Sequence, residues 1–340
     1  MTQSPALQPA EWAPHRAVWL AWPSHGHLWQ EHLAPAQAEV AGLGIAIAED
    51  GGEALEVLVQ DDAAEAQAAA ALAPVRDQVR FHRVPVGDIW LRDTAPIFVV
   101  EGGRLQAACF PFNGWGGKYL LPDDDRVAGR VAALSGHPRV DHTFVLEGGS
   151  VEVDGEGTVL TTRQCLLNPN RNPELDQAAL EAALGRSLGA TKVLWLDEGL
   201  LNDHTDGHID TLARFVAPGV VVCMEARSAD DPNRAVLERL AEDLAAMVDA
   251  RGRRLQVVRI PSPGLVLNEG GEVMPASFVN FYLGNRSVVV PTYGTPWDAE
   301  AVAALAPLFP GRRVVGRPAR AILSGGGAFH CITQQEPEVP

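Results

Sequence analysis

Cys331 follows a glycine run, in Ser324-Gly325-Gly-Gly-Ala328-Phe329-His330-Cys331-Ile332-Thr333. Glycines let backbone amides come close to a ligand, and a short apolar strand carrying the cysteine would present its thiol, so Cys331 is the candidate nucleophile. Cys109 and Cys223 lie in apolar stretches and read as packed strand residues, and Cys165, beside Gln164, reads as structural. A denser cluster is Asn202-Asp203-His204-Thr205-Asp206-Gly207-His208-Ile209-Asp210. Two chemistries fit it. On a helix, His204 and His208 would face one metal ion, with Asp206 and Asp210 as further ligands. Asp206-Gly207 is a turn signal, however, and in extended chain His208 and Asp210 would share one strand face as proton carrier and anionic clamp.

Two more polar groups stand just before apolar, strand-like runs: Trp90-Leu-Arg92-Asp93-Thr94-Ala-Pro96 and Leu146-Glu147-Gly-Gly149. Each has a plain reading, a local ion pair closing a strand in the first and a carboxylate preceding a turn in the second. Their equivalent placement favours function, with Asp93 as acceptor for a cation and Trp90 as its apolar wall. Asn268-Glu269-Gly-Gly271 lies further from its strand, and Glu269 reads as structural.

One cysteine, one histidine and three carboxylates exceed what acyl transfer needs, and extra anions would repel a developing oxyanion. They suit a substrate that is already positive. A planar guanidinium, which pairs bidentately with carboxylates, is the natural fit. The formal charge of -16 agrees and disfavours nucleic acid or an anionic membrane as partner.

Positioning these groups requires a scaffold of alternating strands and helices. Residues 31–47, 61–72, 174–188, 234–250 and 298–309 have helical patterning, while 54–59, 79–86, 193–196 and 255–260 read as strands. Four hairpins recur, at 94–110, 149–161, 208–224 and 277–292, their turns about 52 to 66 residues apart. A fifth would pair the C-terminal stretch, Ala321-Ile-Leu and His330-Cys-Ile-Thr, with Ala17-Val-Trp-Leu-Ala21 and so close the set. Five units in 340 residues fit one ring-shaped α/β domain. Asp123-Asp-Asp125 reads as a solvated loop, and 1–10 and 336–340 as tails. Spread cysteines, no signal-peptide pattern and no long apolar run point to a reducing, cytoplasmic setting.

Glu11-Trp12-Ala-Pro14-His15, Trp90 to Pro96, Phe112-Asn-Gly-Trp-Gly-Gly-Lys-Tyr119, Glu147-Gly-Gly149, Thr205-Asp-Gly-His208-Ile-Asp210 and Gly325 to Gln335 together resemble the agmatine deiminase family. The resemblance spans residues 11 to 335, essentially the whole chain. It implies a five-bladed α/β propeller of the pentein superfamily, with the site on its pseudo-fivefold axis. It further implies Cys331 as nucleophile, His208 as general acid and base, Glu147 as its carboxylate partner, and Asp93 and Asp210 as guanidinium clamp. Trp90, Trp115, His204, Gly326 and Gly327 would line the substrate, with no metal or organic cofactor, in a homodimer or larger homo-oligomer.

The implied reaction is deimination of agmatine to N-carbamoylputrescine and ammonia. One departure bears on the substrate: His204 stands where family members carry an acidic residue, which leaves arginine or a shorter guanidine open as alternatives. Ala95 and Ala328 replace the usual glycine and asparagine. Three rival chemistries stay open on the sequence: a metal-dependent amidine hydrolase using His204 and His208, an amidinotransferase, and a non-catalytic polyamine-binding ring.

Overall fold

Helices whose leucines and alanines recur every three or four residues pack over short, mostly β-branched strands in the computed structural model, which describes residues 6–339. In helix Arg234–Ala246 the buried side chains are Leu237, Leu240, Ala241 and Leu244. Each leucine so buried contributes about 2 kcal/mol over an exposed one. Helix Leu33–Ala48 likewise buries Val40, Leu43 and Ile47.

The strands form five separate sheets of one design. An antiparallel hairpin comes first, and a helical crossover then adds a parallel strand beside the hairpin's second arm, as a parallel partner requires. Ile97–Glu101, Arg104–Cys109 and Arg139–Asp141 make one such sheet. Glu152–Val153, Thr158–Thr162 and Lys192–Leu196 make the next. Ala213–Ala217, Val220–Glu225 and Gln256–Pro261 follow, then Tyr282–Leu283, Ser287–Thr292 and Arg313–Pro318. The remaining sheet joins the chain ends: Gln334–Pro337 pairs antiparallel with His15–Ala21, which continues in parallel to Ala54–Val59 and Val79–Arg83.

The four internal hairpins fall where the glycine turns place them. The fifth pairing differs. Ala321, Ile322 and Leu323 belong to helix Arg320–Ser324, and the strand that meets Ala17 and Val18 begins only at Gln334, with Ala17 opposite Glu336. Cys331 is therefore in a turn before a strand, where three glycines and a following polar strand leave it. His208 and Asp210 do not alternate along a strand either; they flank and enter the helical turn Ile209–Thr211, which Gly207 at φ 85° makes possible.

The expected tails are in part structured. Leu7 exchanges backbone hydrogen bonds with Val100, and Glu336 is fully buried between Arg16, Trp19 and His137; residues 1–5 and 340 lie outside the described residues. The loop at 123–125 is not wholly solvated. Asp124 is buried and accepts the Gly87 and Asp88 amides, and burial raises its carboxyl to about 7. No described helix is long and apolar enough to cross a membrane.

Candidate active site

One strand of each antiparallel pair, four hairpins and the pairing of the chain ends, is entered through a short segment with polar residues, and these five entries meet. They are 90–96, 147–150, 208–211, 277–280 and 329–333, each just ahead of one strand of an antiparallel pair. The Arg92 amide donates to the Cys331 carbonyl at 3.1 Å. The Gly149 amide donates to Asp93 Oδ1 at 2.9 Å. Asn280 Nδ2 donates to the Asp210 carbonyl at 3.3 Å, and the His330 amide to the Asn280 carbonyl at 3.1 Å.

Gly149 lies at the crossing. A Cβ there would stand 2.6 Å from His208 Nδ1, 3.0 Å from Asp93 Oδ1 and 3.1 Å from Asp210 Oδ2. Only glycine lets those three side chains share the space.

Cys331 Sγ lies 3.5 Å from Asp210 Oδ2 and 3.2 Å from Asn280 Nδ2. It lines a cavity of about 200 Å³ with Asp88, Trp90, Asp93, Trp115 and the glycines 325–327. Gly327 fits tightly there, since a Cβ would come within 2.6 Å of the Trp90 ring and 3.0 Å of Cys331 Sγ. Trp115 Nε1 donates to Asp93 Oδ2 at 2.8 Å, so the indole is both wall and orienter. Trp90 and Trp29 each donate from Nε1 to Asp88 at 2.8 Å, which anchors the opposite wall. Arg92 turns away from its neighbour Asp93 toward the His330 carbonyl and Gln335, so the local ion pair does not form.

Glu147 is fully buried; Arg171 Nε donates to its Oε1 at 2.7 Å, Oε2 is unpartnered, and the carboxylate lies within 4.8 Å of a ring nitrogen of His208. His208 Nδ1 stands 3.8 Å from Asp93 Oδ1. Burial pushes the imidazole's pKa down, but Asp93, Cys165 and Glu147 outweigh it and hold His208 well above its ordinary value. Burial, with Asp210 and Glu147 behind it, raises Asp93. Asp210 goes the other way: burial opposes ionisation, but His330, His208 and Arg214 pull it below the usual range. Burial and then Asp210 and Asp93 push the Cys331 thiol well up.

His204 is exposed at the rim, its ring stacked on Tyr119 at 5.8 Å. Asp206 is held by Lys118, Asn170 and Arg171. His204, Asp206, His208 and Asp210 thus point to different partners, and the metal set drawn from their spacing does not converge.

Several site residues escaped the sequence reading. Asn280 sits in the fourth hairpin entry, equivalent to Asp93 and Glu147, and that position was the available signal. Glu11 and His330 stood within the motifs but were given no role, and Arg171 carried no local signal, because their contacts span hundreds or tens of residues. Cys165, read as structural, lies against His208 and Glu147. Glu269 lines the mouth of a wider outer cavity with Glu31 and His32.

Residues 7–337 match the pattern of the Porphyromonas-type peptidyl-arginine deiminases. An agmatine deiminase of Stutzerimonas stutzeri is 40% identical over 97% of this chain and 95% of its own length. The chain belongs to the agmatine deiminase family. Among solved structures, the agmatine deiminase of Enterococcus faecalis superposes with a TM-score of 0.91 at 31% identity, covering 100% of this chain and 99% of that one. A cysteine-to-serine variant of the C. jejuni agmatine deiminase with substrate bound gives 0.88 at 26%, covering 99% and 97%. The fold is the α/β pentein fold of this family.

Proposed function

We propose that the chain hydrolyses agmatine to N-carbamoylputrescine and ammonia through a covalent intermediate on Cys331. The observation that carries this is a thiol and two buried carboxylates, Asp210 and Asp93, converging at one small aromatic-walled cavity in a member of the agmatine deiminase family. Asp93 and Asp210 hold the guanidinium plane while the Cys331 thiolate adds to its central carbon. His208, held as imidazolium, gives its proton to one nitrogen, the C–N bond breaks, and ammonia leaves a thiouronium on the sulfur. Neutral His208 then takes a proton from water, whose oxygen adds to the same carbon. Collapse to the ureido product breaks the C–S bond, the sulfur takes the hydroxyl proton as thiol, and that proton passes through solvent to ammonia, giving ammonium and restoring the thiolate for the next substrate.

Glu147 keeps His208 oriented and cationic, with Arg171 fixing the carboxylate. Trp90, Trp115, Gly326 and Gly327 shape the channel, and His204 meets the distal end of the substrate. The five equivalent hairpin entries and the hydrogen bonds between them support a single domain built as a five-bladed propeller closed by the chain ends, with the site on its axis. Four free, buried cysteines fit a reducing, cytoplasmic setting.

Ammonia release from agmatine, arginine and shorter guanidines tests the reading. Agmatine should be the preferred substrate, Cys331→Ala should lose more than about 10³-fold in kcat, and chelators should not lower the rate. Turnover that survives Cys331→Ala would overturn it.

A further inference from the structure

Cys165 has no part in that chemistry, yet its placement is not that of an inert core thiol. The side chain of Thr162 caps helix Arg163–Leu166 through the Cys165 amide, which fixes the cysteine behind the imidazole of His208. One donor atom each from Cys165, His208 and Glu147 lies within 4.8 Å of the other two. Glu147 Oε2 is buried without a hydrogen-bond partner, and the ring of His208 has none but the Cys165 thiol, with Glu147 0% and His208 1% exposed. Buried polar atoms are ordinarily paired, so an open carboxylate oxygen and an imidazole grouped with one thiol mark a place able to take a ligand.

We propose that Glu147, Cys165 and His208 form an inhibitory site for a thiophilic divalent cation of the zinc class. A carboxylate, a thiolate and an imidazole are a zinc donor set, and bonds of about 2.0–2.3 Å are reached from this arrangement by small side-chain shifts. Arg171 on Oε1 leaves Oε2 free, and this outer contact orients the carboxylate as a metal ligand's partner does. The guanidinium's charge opposes a cation, while the metal itself drives the thiol to thiolate and so adds a second anionic ligand.

Loss of activity follows from the proposed role of His208, since a metal-bound imidazole can neither give nor take the proton. Binding itself does not depend on that role. All three residues are buried and none lines the cavity, while Asp93, which does, stands 3.8 Å from His208, so inhibition should develop slowly and a guanidinium ligand in the cavity should delay it.

The test uses the full chain carrying Cys331→Ala, so that the proposed nucleophile cannot ligate. Adding Co²⁺ should produce a sulfur-to-cobalt charge-transfer band that Zn²⁺ displaces and that is absent from the Cys165→Ser, Cys331→Ala double variant. In the unmodified enzyme Zn²⁺ should inhibit ammonia release, EDTA should restore it, and Cys165→Ser should raise the inhibitory concentration at least tenfold. If Cys165→Ser does not fold, Glu147→Gln in the Cys331→Ala chain should weaken cobalt binding at least tenfold. No band with Cys331→Ala, a band that persists without Cys165, or binding without inhibition would overturn the proposal. Failure of the deiminase reading shows separately, as no ammonia release in metal-free buffer while the cobalt band stands.

Discussion

His330 bridges two buried carboxylates: its Nδ1 lies 2.7 Å from Asp210 Oδ2 and its Nε2 2.8 Å from Glu11 Oε2. Glu11 is paired in turn with Arg214, which also holds Glu152. The residue next to the proposed nucleophile therefore ties Asp210, the proposed clamp carboxylate, to an ionic network shared by the hairpins. Isolated, each of these charges would be costly to bury; linked, they fix Asp210 where Cys331 Sγ meets it.

Replacing His330 by alanine removes the partner that helps keep Asp210 below the usual carboxylate range. The Asp210 pKa should then rise, and if Asp210 is the guanidinium clamp proposed above, the acid limb of kcat/KM should move to higher pH. Glu11 and Asp210 are both depressed in the folded state. Their pairing thus stabilises the fold above the unfolded carboxylate values and is lost as pH falls through the folded ones. His330→Ala should cost about 3 kcal/mol by urea unfolding at neutral pH, and an unshifted acid limb would refute the coupling.

The route from sequence to this network shows what local pattern can and cannot reveal. Hairpins such as Ile97–Glu101 with Arg104–Cys109 were legible because both arms and their glycine turn lie within one window. Arg139–Asp141 and Arg313–Pro318 were not, being short or basic strands that exist only because a neighbour supplies the ladder. The site was legible wherever a polar residue interrupts an apolar entry, as at Asp93 or Glu147. Glu11 is 319 residues from His330, and no periodicity announces a contact made by tertiary closure.

Glu147→Gln keeps an acceptor for Arg171 but removes a charge that raises the pKa of His208. With His208 as the proposed acid, protonation of the leaving ammonia needs imidazolium, so the basic limb of kcat should move to lower pH. Activity should fall by about 10²-fold or more. A pH profile that keeps its basic limb while losing amplitude would separate a steric defect from this electrostatic one.

The thiol of Cys331 is raised by burial, then by Asp210 and Asp93, and is pulled back in part by the Asn280 amide. Alkylation by iodoacetamide at neutral pH should be slow in the free enzyme and faster in Asp93→Asn, which removes a negative charge. Asn280→Ala should slow it further. A guanidinium ligand that leaves the sulfur accessible should speed it, because the cation offsets the clamp carboxylates. A thiolate fraction indifferent to all three changes would exclude activation of the nucleophile by the substrate's own charge.

His204 tests how the far end of the substrate is recognised. Its ring stacks on Tyr119 at the rim, its carbonyl accepts from Lys118 Nζ at 2.6 Å, and it lines the cavity that ends at Cys331. Asp88, the other carboxylate along that cavity, has an oxygen committed to each of two indoles. In the proposed pose, a distal ammonium would meet an imidazole and aromatic faces rather than a free carboxylate. His204→Glu should lower KM for agmatine about two- to fivefold, the scale of a partly solvated ion pair. The same change should leave KM for propylguanidine, which lacks the amine, unaltered. If both substrates improve equally, the imidazole acts by shaping the channel, and charge at the rim has no part in selecting the substrate.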